Sequence, residues 1–330
     1  MGCSTTQYLF QAAKGQLDLL DSAEPIEKVL DNESVNEKYR DLLSKIEAIK
    51  KFADLSGLKK TENYRKFVDL HRPYVSWIVS ASPPLKFEAK TWWFPIVGTV
   101  PYLGFFDKDD AESKASSLRE ENLDVYLRGV SAYSTLGWFN DPVLSSMLDG
   151  ESDTALEDLA NVIFHESAHA TVYISGQSIF NERFASFVGD QLTKNYLSTL
   201  PEGAGLLSNY ETRLERSSQF RKKLNSVFNE LESIYQSSSS DEIKFSKKKK
   251  IIDNLKSWYP FLEDVNNAYL LQFQTYDTSK NEFEIIFEKC ESNWNKFFKH
   301  MKTLEEDEFE QDQQENLDSI VTKLNSKSCT

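Results

Sequence analysis

Two of the four histidines in this 330-residue chain stand four residues apart, in the run Ala160-Asn161-Val162-Ile163-Phe164-His165-Glu166-Ser167-Ala168-His169. In a helix that spacing puts both imidazoles on one side, where their neutral ring nitrogens can meet the same cation. Glu166 projects beside the pair, placed to take a proton from water rather than to bind the cation itself. The combination suits hydrolysis by metal-activated water. Zinc (Zn2+) acidifies the water and polarises a carbonyl, and the carboxylate collects and redelivers the proton. With so few histidines, chance gives this pattern in on the order of one in a few hundred such chains.

A catalytic zinc site also needs a third protein ligand and an open position. Twelve residues separate His169 from Glu182, which lies within Gln177-Ser178-Ile179-Phe180-Asn181-Glu182-Arg183-Phe184-Ala185-Ser186-Phe187. The intervening Val172-Tyr173-Ile174-Ser175-Gly176 is chain enough to leave one helix, turn and begin another, on which Glu182 faces the histidines. A solvated acid in a first helical turn is the competing reading. Asn181 and Arg183 are candidates for orienting this ligand or a neighbouring carboxylate. Asp190 is either the acceptor of a histidine's other ring proton or a surface acid. Ser167 and Ala168 are small enough to let another element approach, and Tyr173 reads as an aromatic packed beside the site or in the core.

These residues need a scaffold, and hydrophobic periodicity sketches one. Residues 7–20 and 34–53 read as amphipathic helices, separated by Ser22-Ala23-Glu24-Pro25. Tyr74–Ser80 reads as a strand ended by Ser82-Pro83-Pro84. Thr91–Ile96 and Val100–Phe106 read as two more strands, with Gly98 at the turn between them. Asp107 is placed to cap a helix over 108–121, because its carboxylate can accept from unpaired backbone donors. Val125–Val130 and Ala132–Gly137 continue as extended segments. From Thr154 the pattern is helical: Leu156, Leu159, Ala160 and Ile163 form an apolar stripe leading to the histidines, and Phe180–Leu197 is a second helix. Pro201-Glu202-Gly203-Ala204-Gly205 reads as a turn, and further helices are expected over 209–236, 250–274 and 280–304. Ser237–Ser240 and the basic run Lys247–Lys250 separate the first two of these, the run as a solvated loop or helix start. The acidic stretch 305–314 is expected to fray.

The chain is long enough for one large domain or two smaller ones sharing a core. The expected division is 1–153, helices and a mixed sheet, and 154–330, the metal helix with a helical lobe, forming one continuous catalytic unit. A 40% apolar content with 22 Phe, 14 Tyr and 6 Trp fills a core and excludes a disordered chain. The net charge of -14 disfavours broad nucleic-acid binding and adhesion to anionic lipid. No apolar run of membrane-spanning length occurs. Cys3, Cys290 and Cys329 are expected to form neither a metal cluster nor a disulfide framework. Cys3, followed by small polar residues, reads either as the lipid acceptor of a bacterial lipoprotein after signal removal or as an ordinary surface thiol.

The chain resembles a bacterial family of predicted aminopeptidases, often lipoproteins, and more distantly the glutamate-ligand zincin peptidases. The likeness lies in Gln11–Leu17, Ala132-Tyr133-Ser134-Thr135-Leu136-Gly137-Trp138-Phe139-Asn140-Asp141-Pro142, His165–His169 and Phe180-Asn181-Glu182-Arg183-Phe184-Ala185. It implies His165, His169 and Glu182 as metal ligands and Glu166 as the base, in an α+β, zincin-like metallopeptidase with a small N-terminal sheet and a helical C-terminal lobe. The interval between the two motifs is shorter than in better-known aminopeptidases. Tyr133–Gly137 is similar to the edge strand of zincin clefts, whose backbone pairs with an extended peptide. The C-terminal likeness includes Asn266-Asn267-Ala268 and Thr275-Tyr276. It makes Tyr276 the leading candidate for an oxyanion hydrogen bond, with Asn267 as a residue that orders its helix or reaches the cleft. Arg128 and Arg183 are alternative positive groups. The expected activity is zinc-dependent peptide hydrolysis on peptide or protein substrates in the periplasm or cell envelope, as an aminopeptidase. An endopeptidase or protein-processing enzyme is the first alternative, and a non-catalytic zinc-containing envelope interaction protein the second.

Overall fold

A computed structural model describes residues 2–94, 98–132, 140–150, 154–275 and 282–329. Among the described residues the architecture is mixed α+β, mainly helical, with three small sheets. Its strands are β1 (Glu24–Pro25), β2 (Lys66–Val68), β3 (Ser76–Ser82), β4 (Trp92–Phe94), β5 (Gly98–Val100), β6 (Leu103–Phe105), β7 (Asp124–Val130) and β8 (Val143–Leu144). The largest sheet has the order β6-β3-β7, antiparallel throughout, with Ile78 of β3 opposite both Gly104 and Arg128. A second sheet, β1-β2-β8, is antiparallel on one side of β2 and parallel on the other, and β4 pairs with β5 as a hairpin.

The first helices are α1 (Gly2–Asp21), α2 (Ile26–Leu30), α3 (Glu37–Ser44), α4 (Ile46–Leu55) and α5 (Lys108–Glu120). Then follow α6 (Ala155–Thr171), α7 (Ser178–Ser198), α8 (Gly203–Gln236), α9 (Asp241–Trp258), α10 (Asn267–Thr275), α11 (Glu282–Lys289), α12 (Trp294–Met301) and α13 (Asp318–Ser326). Asp107 caps α5 as its chemistry demands, its carboxylate accepting from the amides of Asp109 and Asp110. The helix expected over 34–53 is interrupted at Lys45, and that expected over 250–274 breaks where Pro260 removes a donor. Gly203-Ala204-Gly205 opens α8 rather than forming a loop, leaving Pro201 and Glu202 as the turn. Gly98 begins β5, opposite Phe94, instead of marking the turn. The strand expected over Tyr133–Gly137 lies outside the described residues.

Among the described residues three apolar clusters fill the interior. Val79 and Ala81 of β3 pack with Ala111, Ala115 and Leu118 of α5. Leu231, Tyr235, Leu255 and Leu270 join α8, α9 and α10, and Tyr126 of β7 meets Tyr269 of α10 edge-on. The largest cluster reaches from Leu19 to Leu324 and surrounds α6 and α7 with residues from both halves of the chain. No helix among the described residues is long and apolar enough to cross a membrane.

Two charged or sulfur-bearing segments depart from expectation. Lys247–Lys250 does not separate helices but lies inside α9, and Lys248 of that run is buried. Its ammonium donates to the Asp124 carboxylate and, at 2.7 Å, to the Pro84 carbonyl, while Asp124 also accepts from the Asn267 amide at 2.9 Å. The amphipathic lysine stem makes this possible, and the partner lies far upstream, where charge density in the run says nothing of it. Cys290 and Cys329, from which no disulfide framework was expected, form a disulfide with Cα atoms 5.3 Å apart, because α11, α12 and α13 bring the two segments together. Breaking the buried pair by Lys248→Met strands Asp124 and should cost about 3 kcal/mol of unfolding free energy. Lys249→Met removes an exposed pair with Asp253 and should stay within about 0.5 kcal/mol of wild type. Urea titrations of the two variants check this, and equal stabilities would refute it.

Candidate metal centre

Helices α6 and α7 build the site through facing stripes. On α6, Asn161, His165 and His169 recur every four residues, and on α7 Glu182, Ala185 and Gly189 recur over two turns. Gly189 permits the close approach: a Cβ there would stand 3.3 Å from the His165 Cβ and 3.2 Å from Asn161 Nδ2. The other side of α7 carries Phe180, Phe184 and Phe187, which meet Phe283, Phe297 and their neighbours at ring-centroid distances of 5.5–6.0 Å. This apolar anchoring, each buried ring contributing about 2 kcal/mol, fixes the helix that must hold a carboxylate inside the protein.

The turn between the helices is locked by Asn181. Its carboxamide accepts from the Ile174 amide at 2.9 Å and donates to the Ile174 carbonyl at 2.7 Å, so the residue next to Glu182 ties the start of α7 to the preceding loop. Gln177 reaches from the same turn to the Gln311 carbonyl and accepts from the Gln314 amide. The stretch 305–314 therefore does not fray: Gln313 and Gln314 bond the turn, and Asp312 accepts from Thr99 of β5 at 2.6 Å. Gly98, at φ +74°, completes this junction, since a Cβ on it would lie 2.8 Å from both Gly176 N and Ser175 Oγ.

Three donor atoms converge at the centre. The Nε2 atoms of His165 and His169 are 3.2 Å apart, and the Glu182 carboxylate oxygens lie 3.4 Å from His165 Nε2 and 3.7 Å from His169 Nε2. Burial alone would raise the Glu182 carboxyl, but His169 and His165 hold it well below the ordinary carboxylate range. Burial disfavours a charged His165, yet Glu182, Glu166 and Asp190 outweigh it and raise the imidazole. Two imidazoles and the carboxylates of Glu182, Glu166 and Asp190 thus act on one another across a small volume. A zinc ion fits the trio: bonds of about 2.1 Å in a tetrahedron separate neighbouring donors by about 3.4 Å. One proton can bridge two of these three groups but not all three at once. The described residues hold this one group of histidine, cysteine and acidic side chains with metal-ligand spacing.

Around the trio, Glu166 is half-buried, and its charge acts on both His165 and Tyr64. Tyr173 flanks the site, its phenol pushed up to about 12 by burial and the Glu182 charge. Asp190 is not a histidine's hydrogen-bond partner. It accepts from Asn161 at 3.0 Å and from Tyr210 at 2.9 Å, an arrangement α8 supplies from a distance in sequence. Arg183 turns away from the centre towards Glu282, at 3.8 Å, and the Glu315 carbonyl, at 3.1 Å. Arg128 stays in β7 opposite Ile78. Asn267 is fully buried, accepting from Tyr235 and donating to the Pro83 carbonyl, so it orders the start of α10 rather than reaching a cleft. Tyr276 lies outside the described residues.

Tyr64 escaped the sequence reading. It is buried, its hydroxyl has no hydrogen-bond partner among the described residues, and its backbone sits at φ +63°. Asn63 and Asp141 clamp it: the Tyr64 amide donates to the Asp141 carbonyl at 2.6 Å and the Asp141 amide to Asn63 Oδ1 at 3.1 Å. Asp141 belongs to the Asn140-Asp141-Pro142 motif, the one signal that pointed this way.

Asn181→Ala removes both buried hydrogen bonds of the turn and should lower stability by about 2 kcal/mol. It should also weaken zinc binding by about tenfold or more, because Glu182 loses its fixed approach. Denaturant unfolding and competitive zinc titration measure the two effects, and unchanged zinc affinity would show that the turn does not position the ligand.

A family model described as "Putative aminopeptidase" matches residues 7–317. No curated protein and no solved structure matches the chain.

Proposed function

The chain belongs to that family of aminopeptidases, and from this premise we propose that it is a zinc-dependent peptide hydrolase of zincin-like build whose centre is His165, His169 and Glu182. The observation that carries the reading is the convergence of two imidazole nitrogens 3.2 Å apart with a carboxylate whose one oxygen lies 3.4 Å from the first and whose other oxygen lies 3.7 Å from the second, a spread that suits the donors of one zinc ion. Bound there, zinc would acidify a water and polarise the scissile carbonyl, while the fourth position stays open for chemistry.

The chain's own residues do the rest. His165 and His169 present neutral Nε2 atoms, and Glu182 supplies the negative charge that offsets the cation. Glu166, one residue from the first ligand and excluded from the trio, takes the proton of the attacking water and delivers it to the departing amine. Tyr276 is assigned the oxyanion hydrogen bond on the resemblance alone. A lipid anchor at Cys3 in a bacterial envelope belongs to the same proposal and rests on the resemblance and on the residues after Cys3.

Glu166→Gln should bind zinc with wild-type stoichiometry and lose about a thousandfold in kcat on a peptide pool, the scale of a general base. Retained turnover in a zinc-loaded variant would remove Glu166 from the base role. Zinc loading of the wild type without hydrolysis of any peptide would favour the interaction-protein alternative. The exopeptidase assignment is checked separately with matched peptides carrying free and acetylated N-termini. Cleavage should fall at least about tenfold on acetylation, as expected when a site's polar groups lose their partner, and undiminished cleavage would make the enzyme an endopeptidase.

A further inference from the structure

A cavity of 390 Å³ opens between β3, the segment 87–91, the first turns of α7, α10 and the segment 313–316. Arg183, the residue after Glu182, and Ile179, three before it, both line this space. At 1.5 Å of rise per residue, its wall therefore begins within about 5 Å of the Glu182 backbone along the helix. The volume suits one large side chain and lies in the range of ligand pockets.

Its chemistry is uneven. Phe87, Ile179 and Leu271 give it apolar walls. Within them stands Gln272 of α10, only 9% exposed, whose carboxamide has no hydrogen-bond partner among the described residues. A carboxamide that lines a cavity and has no protein partner leaves an acceptor and two donors for a ligand. The charges around the cavity sum to a negative value. Arg183 lies 3.8 Å from Glu282 and its charge also acts on Glu315, while Glu88 is matched by Lys86, so these five groups sum to one negative charge.

We propose that this cavity is a substrate subsite for a basic side chain, lysine or arginine, of the bound peptide, a specificity that rests on the peptide-hydrolase reading above. The methylene stem lies along Phe87, Ile179 and Leu271, Gln272 Oε1 accepts a hydrogen bond from the cationic head, and Glu315 at the exposed rim opposes its charge. An acidic side chain meets Glu315 and Glu88 as like charges and is rejected.

The test separates binding from turnover. The zinc-loaded Glu166→Gln protein is titrated calorimetrically with tetrapeptides in which lysine, norleucine or glutamate is moved through each position. At one position lysine should bind about tenfold more tightly than norleucine, with glutamate weakest, and Glu315→Gln or Gln272→Leu in the same background should shrink that ratio towards one. Equal affinities for lysine and norleucine at every position would overturn the subsite. So would affinity that falls on N-acetylation without any lysine preference, which would put the peptide's own amine in the cavity. A lysine preference in binding, combined with no hydrolysis by the wild type, would uphold the subsite and overturn only the hydrolase reading.

Discussion

Helix α7 has two faces with opposite requirements, and the centre exists because both are met. One face must hold the Glu182 carboxylate within 3.4–3.7 Å of two imidazoles, in a place where water is scarce and an uncompensated charge is expensive. The other buries a row of phenylalanines in the C-terminal helices. Apolar burial on the back supplies the stability that the polar front consumes, and the small side chains at Ala185 and Gly189 let the front come close enough to α6 to work. A larger residue at 189 would press on His165 itself.

The same economy governs the surroundings. Tyr210 and Asn161 share Asp190, Arg213 binds Glu157 and Asp158 at the start of α6, and Gln177, Gln313 and Gln314 knit the α6–α7 turn to a distant stretch of chain. Each buried polar group is used to fix a position rather than to add raw stability, since the net gain per hydrogen bond is small while a lost partner is costly. His165, His169 and Glu182 thus sit on helices backed by a polar network, the condition for holding a group of side chains in a fixed geometry.

How much of this could be read in advance depended on distance along the chain. The pairing of His165 with His169, the placing of Glu166 and the cap at Asp107 follow from local helical geometry, and they emerged from spacing alone. Glu182 was legible because only a short turn separates the two helices. Asp190 and Arg183 were assigned to the site because they neighbour it in sequence, but their partners Tyr210, Glu282 and Glu315 come from elements no periodicity connects to α7. Lys248 was hidden in a run of four lysines whose composition announces a surface, although one member of such a run can turn inward at each helical turn. The cavity that Ile179 and Arg183 line takes its walls from six separate segments, so nothing short of the tertiary structure could gather it.

The bond between Cys290 and Cys329 changes how the site's floor can open. Chain ends ordinarily unzip from the terminus inward, one contact at a time, and the last residues are the first to exchange with solvent. Here the stretch that clasps the α6–α7 turn, Gln311 to Gln314, lies inside a covalently closed circuit. It cannot peel away from a free end. It can detach only by ballooning outward as a loop pinned at both ends, a motion with far less freedom to gain.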